Sequence, residues 1–121
     1  MKITLIGYGK MGKLIEKKAK ERNHLITNIL DSQDWNLENL KGCDMAIDFS
    51  TPDSVINNIR KSFEMGIPII VGTTGWNQHF QKVKDWCKNY NGAILSASNF
   101  SLGVNVFFEI NRHLSKIMNN Y

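Results

Sequence analysis

Short apolar runs separated by longer amphipathic stretches recur from one end of the chain to the other. The runs are rich in β-branched and aliphatic residues, which is typical of strands, and they predict strands at Lys2–Ile6, Leu25–Leu30, Met45–Phe49, Ile67–Val71 and Ala93–Ser96. Because helical stretches connect the runs, the alternation indicates an α/β fold. We predict a doubly wound parallel sheet of about five strands with helices on both faces.

The amphipathic stretches place apolar residues at helical spacing. The second helix should begin after a cap at Ser50 or Thr51, with Pro52 in its first turn, and should end at Gly66. The apolar stripes are Met11, Leu14, Ile15 and Ala19 in the first helix, Val55, Ile56, Ile59 and Phe63 in the second, Phe80, Val83, Trp86 and Cys87 in the third, and Val104, Phe107, Ile110, Leu114, Ile117 and Met118 in the last.

A glycine-spaced turn, Gly7–Gly12, joins the first strand to the first helix. Glycines let the backbone approach a phosphate closely, and a helix N-terminus offers unpaired N–H groups and the positive end of its dipole. Gly7 permits the tight turn, Gly9 the close approach and Gly12 the packing of the helix. Such glycines also mark ordinary turns, but the order of strand, turn and helix favours a Rossmann-like dinucleotide site, in which Lys10 adds a cation.

An acidic residue follows the second strand, where such a site needs one. Asp31 comes about 20 residues after the glycine turn and can accept hydrogen bonds from ribose hydroxyls. A carboxylate suits a free 2′-hydroxyl and repels a 2′-phosphate, whereas a neighbouring Arg would favour the phosphate. Because Ser32 and Gln33 follow and no Arg is near, we predict that the cofactor is NADH or NADPH, with NADH favoured.

Segments rich in Gly, Ser, Thr or Asn follow the later strands as well. They are Phe49-Ser50-Thr51, Gly72-Thr73-Thr74 and Ala97-Ser98-Asn99-Phe100. Ligands of doubly wound sheets bind outside the carboxyl ends of the strands. Loops are often polar for structural reasons alone, but repetition along one edge of the sheet predicts a single elongated ligand that crosses the strand ends.

Composition and charge narrow the class of protein. With 121 residues, of which 42% are hydrophobic and 21% charged, residues 1–121 should form one globular domain. The net charge of +4 comes largely from the first helix and, without a nucleic-acid motif, indicates a solvated face rather than nucleic-acid binding. No membrane span or secretory signal is evident, so we expect a cytoplasmic location without a membrane partner. Cys43 and Cys87 follow no metal or redox spacing, which indicates buried free thiols and no metal site.

Taken together, these segments resemble the N-terminal, dinucleotide-binding domain of the dihydrodipicolinate reductase (4-hydroxy-tetrahydrodipicolinate reductase) family of bacterial lysine and diaminopimelate biosynthesis. The likeness covers essentially the whole chain. The phosphate loop is one residue shorter than usual, and Lys10 stands where an Arg is usual. The motifs that carry the likeness are Gly9-Lys10-Met11-Gly12, Asp48-Phe49-Ser50-Thr51-Pro52, Gly72-Thr73-Thr74-Gly75 and, most specific to the family, Ser98–Asn105.

The resemblance implies an oxidoreductase that transfers hydride from NAD(P)H to a cyclic, unsaturated dicarboxylate. It also implies a role for each motif. The pyrophosphate would be held by Gly7, Tyr8, Gly9, Lys10, Met11 and Gly12, and the adenosine ribose by Asp31. Phe49 and Ser50 would belong to the same cofactor site, with Gly72, Thr73 and Thr74 on the nicotinamide side and Ala97, Ser98, Asn99 and Phe100 completing its pocket.

The family's second domain carries the substrate site and the proton donor, in a His-His run and a Lys-x-Asp-x-Pro-Ser-Gly-Thr motif. Neither occurs in these 121 residues. We therefore expect a chain that binds the dinucleotide without turnover, has no catalytic residue of its own and meets the dicarboxylate only together with that domain. Where that domain would pack, Phe107, Phe108 and Ile110 should be partly exposed, which favours association and leaves a homo-oligomer open.

Two other functions stay open on the residues alone. A non-catalytic NAD(H)-sensing module would share the glycine turn and Asp31 but would not need the nicotinamide-side segments Gly72–Gly75 and Ser98–Asn105. A relative of aspartate or homoserine dehydrogenase would have the same fold and the same order of elements.

Overall fold

Parallel strands and α-helices alternate in the computed structural model of the chain, which describes residues 1–31 and 34–121. Short 3₁₀ turns lie at Leu37–Leu40 and Asn77–His79. Ser32 and Gln33, which enter the cofactor prediction as neighbours of Asp31, lie outside the described residues. The main elements are β1 (Lys2–Ile6), α1 (Lys10–Glu21), β2 (Leu25–Leu30), β3 (Met45–Asp48), α2 (Pro52–Glu64), β4 (Ile69–Val71), α3 (Phe80–Asn89), β5 (Ile94–Ser96) and α4 (Leu102–Met118).

The strands lie in the order β2-β1-β3-β4-β5, and each neighbouring pair is parallel. The chain runs outward from β1 to β2 and then crosses to the other side of β1 for β3. The carboxyl ends of β1 and β3 therefore form the topological switch point, where doubly wound folds bind their ligands. The predicted five-stranded parallel sheet is confirmed.

Helices cover both faces of the sheet, as predicted. Helix α1 packs on one face, where Ile3, Leu5 and Ala19 form a small buried cluster. Helices α2 and α3 cover the other face, and Phe63 of α2 has the largest of the fully buried side chains there. Because successive side chains of a strand point to opposite faces, Leu5 joins the α1 cluster and Ile6 joins the larger core.

Residues in the left-handed conformation follow three of the helices. Asn23 follows α1 with a φ of 58°, Gly66 follows α2 with a φ of 65°, and Asn91 follows α3 with a φ of 50°. Glycine and asparagine tolerate this conformation best, so each of these residues stops its helix. Helix α2 begins after Thr51, one of the two predicted caps, with Pro52 as its first residue.

The strand predictions are right at β1 and β2 and slightly too long elsewhere. Strand β4 begins at Ile69 because Pro68 has no N–H to give to the ladder, although the Pro68 carbonyl accepts a hydrogen bond from Ala46 N–H at 2.9 Å. Strand β3 ends at Asp48, and Phe49 already belongs to the turn that leads into α2. Strand β5 is likewise shorter than predicted by its first residue.

Parts of the predicted apolar surface are more exposed than the periodicity indicates. Met11 and Leu14 on α1 are 43% and 47% exposed, and Phe80 on α3 is 54% exposed. The apolar stripes of α1 and α3 are thus wider than the strip that the rest of the domain covers. Cys43 is buried as predicted, but Cys87 is only half-buried, and its thiol donates to the carbonyl of Gly92 at 3.2 Å.

The last helix, α4, has no buried residue. Phe107 and Ile110 are each 62% exposed and Phe108 is 49% exposed, so the expected exposure of these three side chains is confirmed. The Ser101 hydroxyl caps the helix by accepting a hydrogen bond from Val104 N–H at 3.4 Å. No helix in the described part of the chain is long and apolar enough to cross a membrane.

A pair of phenylalanine substitutions tests this division between core and open surface. We expect Phe63→Ala to lower the free energy of unfolding by about 3–5 kcal/mol, because it leaves a cavity between α2 and the sheet. The control Phe107→Ala should change it by less than about 0.5 kcal/mol, because that ring faces solvent. Urea unfolding followed by circular dichroism measures both values, and similar losses in the two variants would contradict the fold described.

Candidate functional site

The turn after β1 is shaped by close backbone contacts that only glycine allows. Gly7 has a φ of 87°, and a Cβ on it would lie 2.3 Å from the carbonyl oxygen of Phe49. A Cβ on Gly12 would lie 2.4 Å from the carbonyl oxygen of Gly7, so the first turn of α1 packs directly on the loop. A Cβ on Gly9, in contrast, would meet nothing within 4 Å. The middle of the turn therefore presents bare backbone to open space at the N-terminus of α1.

The end of β2 is tied to the same turn. The Gly7 N–H donates to the carbonyl of Leu30 at 2.8 Å, and the Tyr8 N–H donates to Oδ1 of Asp31 at 3.0 Å. One carboxylate oxygen of Asp31 is thus engaged by the glycine turn, while the side chain stays exposed at the edge of a cleft of about 310 Å³. This geometry holds the acid beside the turn, as the spacing of the sequence predicts.

Tyr8 is anchored to α1 through its hydroxyl, which donates to Glu16, and Glu16 also pairs with Lys20 at 2.5 Å. The hydrogen bond to Glu16 raises the pKa of the Tyr8 hydroxyl above its ordinary value. The hydrogen bonds from Lys20 and then from Tyr8 lower the pKa of the Glu16 carboxyl. The Tyr8 hydroxyl is therefore engaged by Glu16 of α1, and the backbone N–H of Tyr8 is the group that contacts Asp31.

Phe49, the first residue after β3, lies between the turns that follow β1 and β4. A Cβ on Gly72 would lie 2.1 Å from Cε1 of the Phe49 ring, so the absence of a side chain at Gly72 makes room for the ring. The ring also approaches Phe100, with 6.4 Å between the ring centroids. Phe49 thereby connects the switch point to the segment after β5.

A buried polar cluster lies beneath this surface. Asp48 is fully buried, and its Oδ1 accepts hydrogen bonds from Ser50 N–H (2.9 Å), the Ser50 hydroxyl (2.7 Å) and the Thr73 hydroxyl (2.7 Å). Its Oδ2 accepts one from the amide of Asn58 at 2.8 Å. Ser54 completes the cluster by donating to the Ser50 hydroxyl at 3.1 Å. The cluster joins the end of β3 to the turn after β4 and to the first turns of α2.

Four clefts along the carboxyl ends of the strands share lining residues, and we call them together the strand-end groove. Gly9, Phe49 and Ser50 connect the first cleft, beside Asp31, to the next. Phe49 and Gly72 connect that cleft to the one beside Phe100. The lining includes every predicted site residue except Gly12: Gly7, Tyr8, Gly9, Lys10, Met11, Asp31, Phe49, Ser50, Gly72, Thr73, Thr74, Ala97, Ser98, Asn99 and Phe100.

The groove also includes residues that the sequence prediction missed. Ser54 and Asn58 of α2 line the cleft beside Asp31, next to Thr51 of the predicted strand-end segment, and Asp48 lies beneath them. Their signal in the sequence is the helical spacing of polar residues next to the apolar stripe of the second helix. That spacing becomes informative only with the knowledge that this side of α2 faces the switch point.

Another cleft, about 390 Å³ in volume, opens between α1 and the sheet. Ile3, Ile15 and Ile47 are among its lining residues, and it lies away from the carboxyl ends of the strands. This cleft, which we call the α1 cleft, contains none of the predicted site residues.

A doubly wound parallel sheet with a glycine turn at its switch point is the architecture of the Rossmann-like α/β class. Residues 1–100 match the family model described as dihydrodipicolinate reductase, N-terminus. The chain belongs to this family.

Individual relatives agree with that assignment. The chain is 46% identical over 119 residues to the 4-hydroxy-tetrahydrodipicolinate reductase of Christiangramia forsetii, covering 98% of this chain and 50% of the relative. It superposes on a dipicolinate-bound dihydrodipicolinate reductase from Paenisporosarcina sp. TG-14 with a TM-score of 0.73 and 21% identity, over 85% of this chain and 49% of that one. The chain thus spans about half the length of the curated relatives it matches.

Aspartate dehydrogenase from Thermotoga maritima shares the fold at a TM-score of 0.57 and 15% identity, over 88% of this chain and 49% of that one. This likeness concerns the fold alone. Because residues 1–100 match the reductase family, the alternative of a relative of aspartate or homoserine dehydrogenase is excluded.

Two glycine substitutions in one turn test its backbone geometry. We expect Gly7→Ala to lower the free energy of unfolding by about 1–3 kcal/mol or more. The positive φ at position 7 is unfavourable for alanine, and the added Cβ would overlap the backbone of Phe49. Gly9→Ala should cost less than about 1 kcal/mol, because its Cβ meets open space. Thermal unfolding of both variants measures the difference, and equal losses would contradict the contact between Gly7 and Phe49.

Proposed function

We propose that this chain is the NAD(P)H-binding domain of a 4-hydroxy-tetrahydrodipicolinate reductase of the diaminopimelate and lysine pathway, acting in the cytoplasm. The observation that carries the proposal is the continuity of the strand-end groove from Asp31 to Phe100 in a member of this family. A dinucleotide is elongated and has a charged centre, and the groove has bare backbone and a helix N-terminus near its middle.

Each part of the cofactor has a matching part of the groove. The pyrophosphate would lie against the turn at Gly9, where N–H groups and the positive end of the α1 dipole meet its charge, with Lys10 beside it. The adenosine ribose would bind at Asp31. The nicotinamide would lie towards Thr74 and the Ala97–Phe100 segment, at the far end of the groove.

The reaction of the whole reductase would be hydride transfer from NAD(P)H to a cyclic, unsaturated dicarboxylate. The related structure from Paenisporosarcina carries dipicolinate, which is a cyclic dicarboxylate. This chain's own contribution is to bind and orient the hydride donor and to hold its phosphate charge. The dicarboxylate would be bound together with the part of the relatives that lies outside these 121 residues.

We further propose that NADH binds at least as well as NADPH. Asp31 holds a carboxylate beside the glycine turn, where it can accept hydrogen bonds from a free 2′-hydroxyl and repels a 2′-phosphate. The Tyr8 N–H that donates to Asp31 fixes the side chain in this place.

Fluorescence titration of the chain with NADH and with NADPH tests both proposals. We expect saturable binding of NADH with a dissociation constant no higher than that of NADPH. Asp31→Asn should shift the ratio of the two constants towards NADPH by about tenfold, because it removes a charged acceptor. Asp85→Asn, an exposed acid on α3, is the matched control and should leave the ratio unchanged. Absence of binding would refute the function, and a clear preference for NADPH in the unaltered chain would refute the selectivity alone.

A turnover assay tests the division of labour. Mixed with NADH and the reductase substrate, the 121-residue chain should oxidise no NADH above the buffer rate, although the same sample binds the nucleotide. The reason is that this chain would bind the cofactor, whereas binding of the dicarboxylate would need the part of the relatives that lies outside these 121 residues. Steady-state oxidation of NADH that depends on the substrate would contradict this proposal.

A further inference from the structure

Asp48 is a buried acid that the sequence prediction assigned to no role. It is fully buried at the end of β3 and takes part in none of the ion pairs formed within residues 1–31 and 34–121. Burying a carboxylate without compensation is costly, so its cost must be offset by hydrogen bonds. The four hydrogen bonds that reach its two oxygens come from Ser50, Thr73 and Asn58.

These hydrogen bonds use the hydroxyl protons of Ser50 and Thr73, which both line the groove. Ser50 donates its hydroxyl proton to Asp48 and accepts at the same oxygen from Ser54 and Asn58. Thr73 donates its hydroxyl proton to Asp48 and accepts from Ser50 N–H at 2.8 Å. Neither hydroxyl therefore has a proton left for a ligand.

We infer that Asp48 is a positioning residue for the dinucleotide, an inference that rests on the proposed function. Asp48 holds the turn after β3 and the turn after β4 at a fixed distance, and so sets the shape of the groove around Phe49. Ser50 and Thr73 thus contribute to the cofactor site through the fixed position of their backbone. Their hydroxyl groups donate to Asp48 and not to the cofactor.

The chemistry of the carboxylate explains why this residue type stands here. An ionised carboxylate only accepts hydrogen bonds and has about four lone-pair sites, which matches the donors that converge on it. An amide at position 48 would turn an N–H₂ group towards the amide of Asn58, or towards the hydroxyl donors, and one donor would lose its partner. An aliphatic residue would leave all of these donors without an acceptor.

Binding measured on fully folded variants separates positioning from a purely structural role. Below the unfolding transition the dissociation constant no longer depends on stability, because almost all of the protein is native. We expect Asp48→Asn to raise the dissociation constant for NADH by roughly tenfold. Val83→Ala is the control for lost stability, because Val83 is buried on α3 and lines no cleft of the groove. Its dissociation constant should stay within about twofold of that of the unaltered chain. Circular dichroism melts establish the working temperature for each variant.

Substitution of Thr73 provides the second measurement and decides the matter if Asp48→Asn does not fold. Thr73→Val keeps the shape but removes the hydroxyl that joins the two turns, and should also raise the constant by roughly tenfold. Thr73→Ser restores the hydroxyl and should recover most of the affinity.

A constant within about twofold of the unaltered chain in Asp48→Asn, or in Thr73→Val if that variant has to decide, overturns the positioning role. If the unaltered chain binds no NADH, the proposed function itself has failed. If it binds NADH and the variants bind equally well, only the role of Asp48 has failed.

Discussion

The site is possible because Gly7 and Gly72, in the turns after β1 and β4, pack closely against Phe49, the residue that follows β3. Gly7 approaches the Phe49 carbonyl and Gly72 approaches the Phe49 ring, each so closely that a Cβ would overlap it. The turns after β1, β3 and β4 can therefore meet at the switch point of the sheet. Without this meeting the strand ends would border separate hollows, and an elongated ligand would find no continuous surface.

Hydrogen bonds hold the same region from below. Gly7 N–H binds the end of β2, and Asp48 joins the turn after β3 to the turn after β4 through Ser50 and Thr73. These hydrogen bonds thus hold the backbone that borders the groove on both sides of β3. The surface of the groove itself stays open at Gly9. Binding to such a surface costs little reorganisation, which is the advantage of a preformed site.

Much of this architecture could be predicted from the sequence, because the period of apolar residues distinguishes strands from helices and their alternation indicates a parallel sheet. Strands β1 and β2 and the segments at the strand ends lie where the pattern predicts. The pattern could not reveal Asp48, because its role depends on donors from the turn after β4 and from α2 that come together only in the fold. For the same reason periodicity predicts the stripe of α4 but not what covers it: Phe107 belongs to an amphipathic helix, yet in this chain it is exposed. Pro68 shows a third limit, since strand ends depend on single hydrogen-bond donors.

Backbone amide NMR spectra recorded during titration with NADH can show whether the dinucleotide crosses the strand ends, because every strand end reports separately. We expect signal changes along the strand-end groove, in Gly7–Gly12, Asp31, Ser50, Gly72–Thr74 and Ala97–Phe100, with little change in the second half of α4. Changes confined to the glycine turn, or concentrated in the α1 cleft around Ile15 and Ile47, would contradict a dinucleotide that crosses the strand ends.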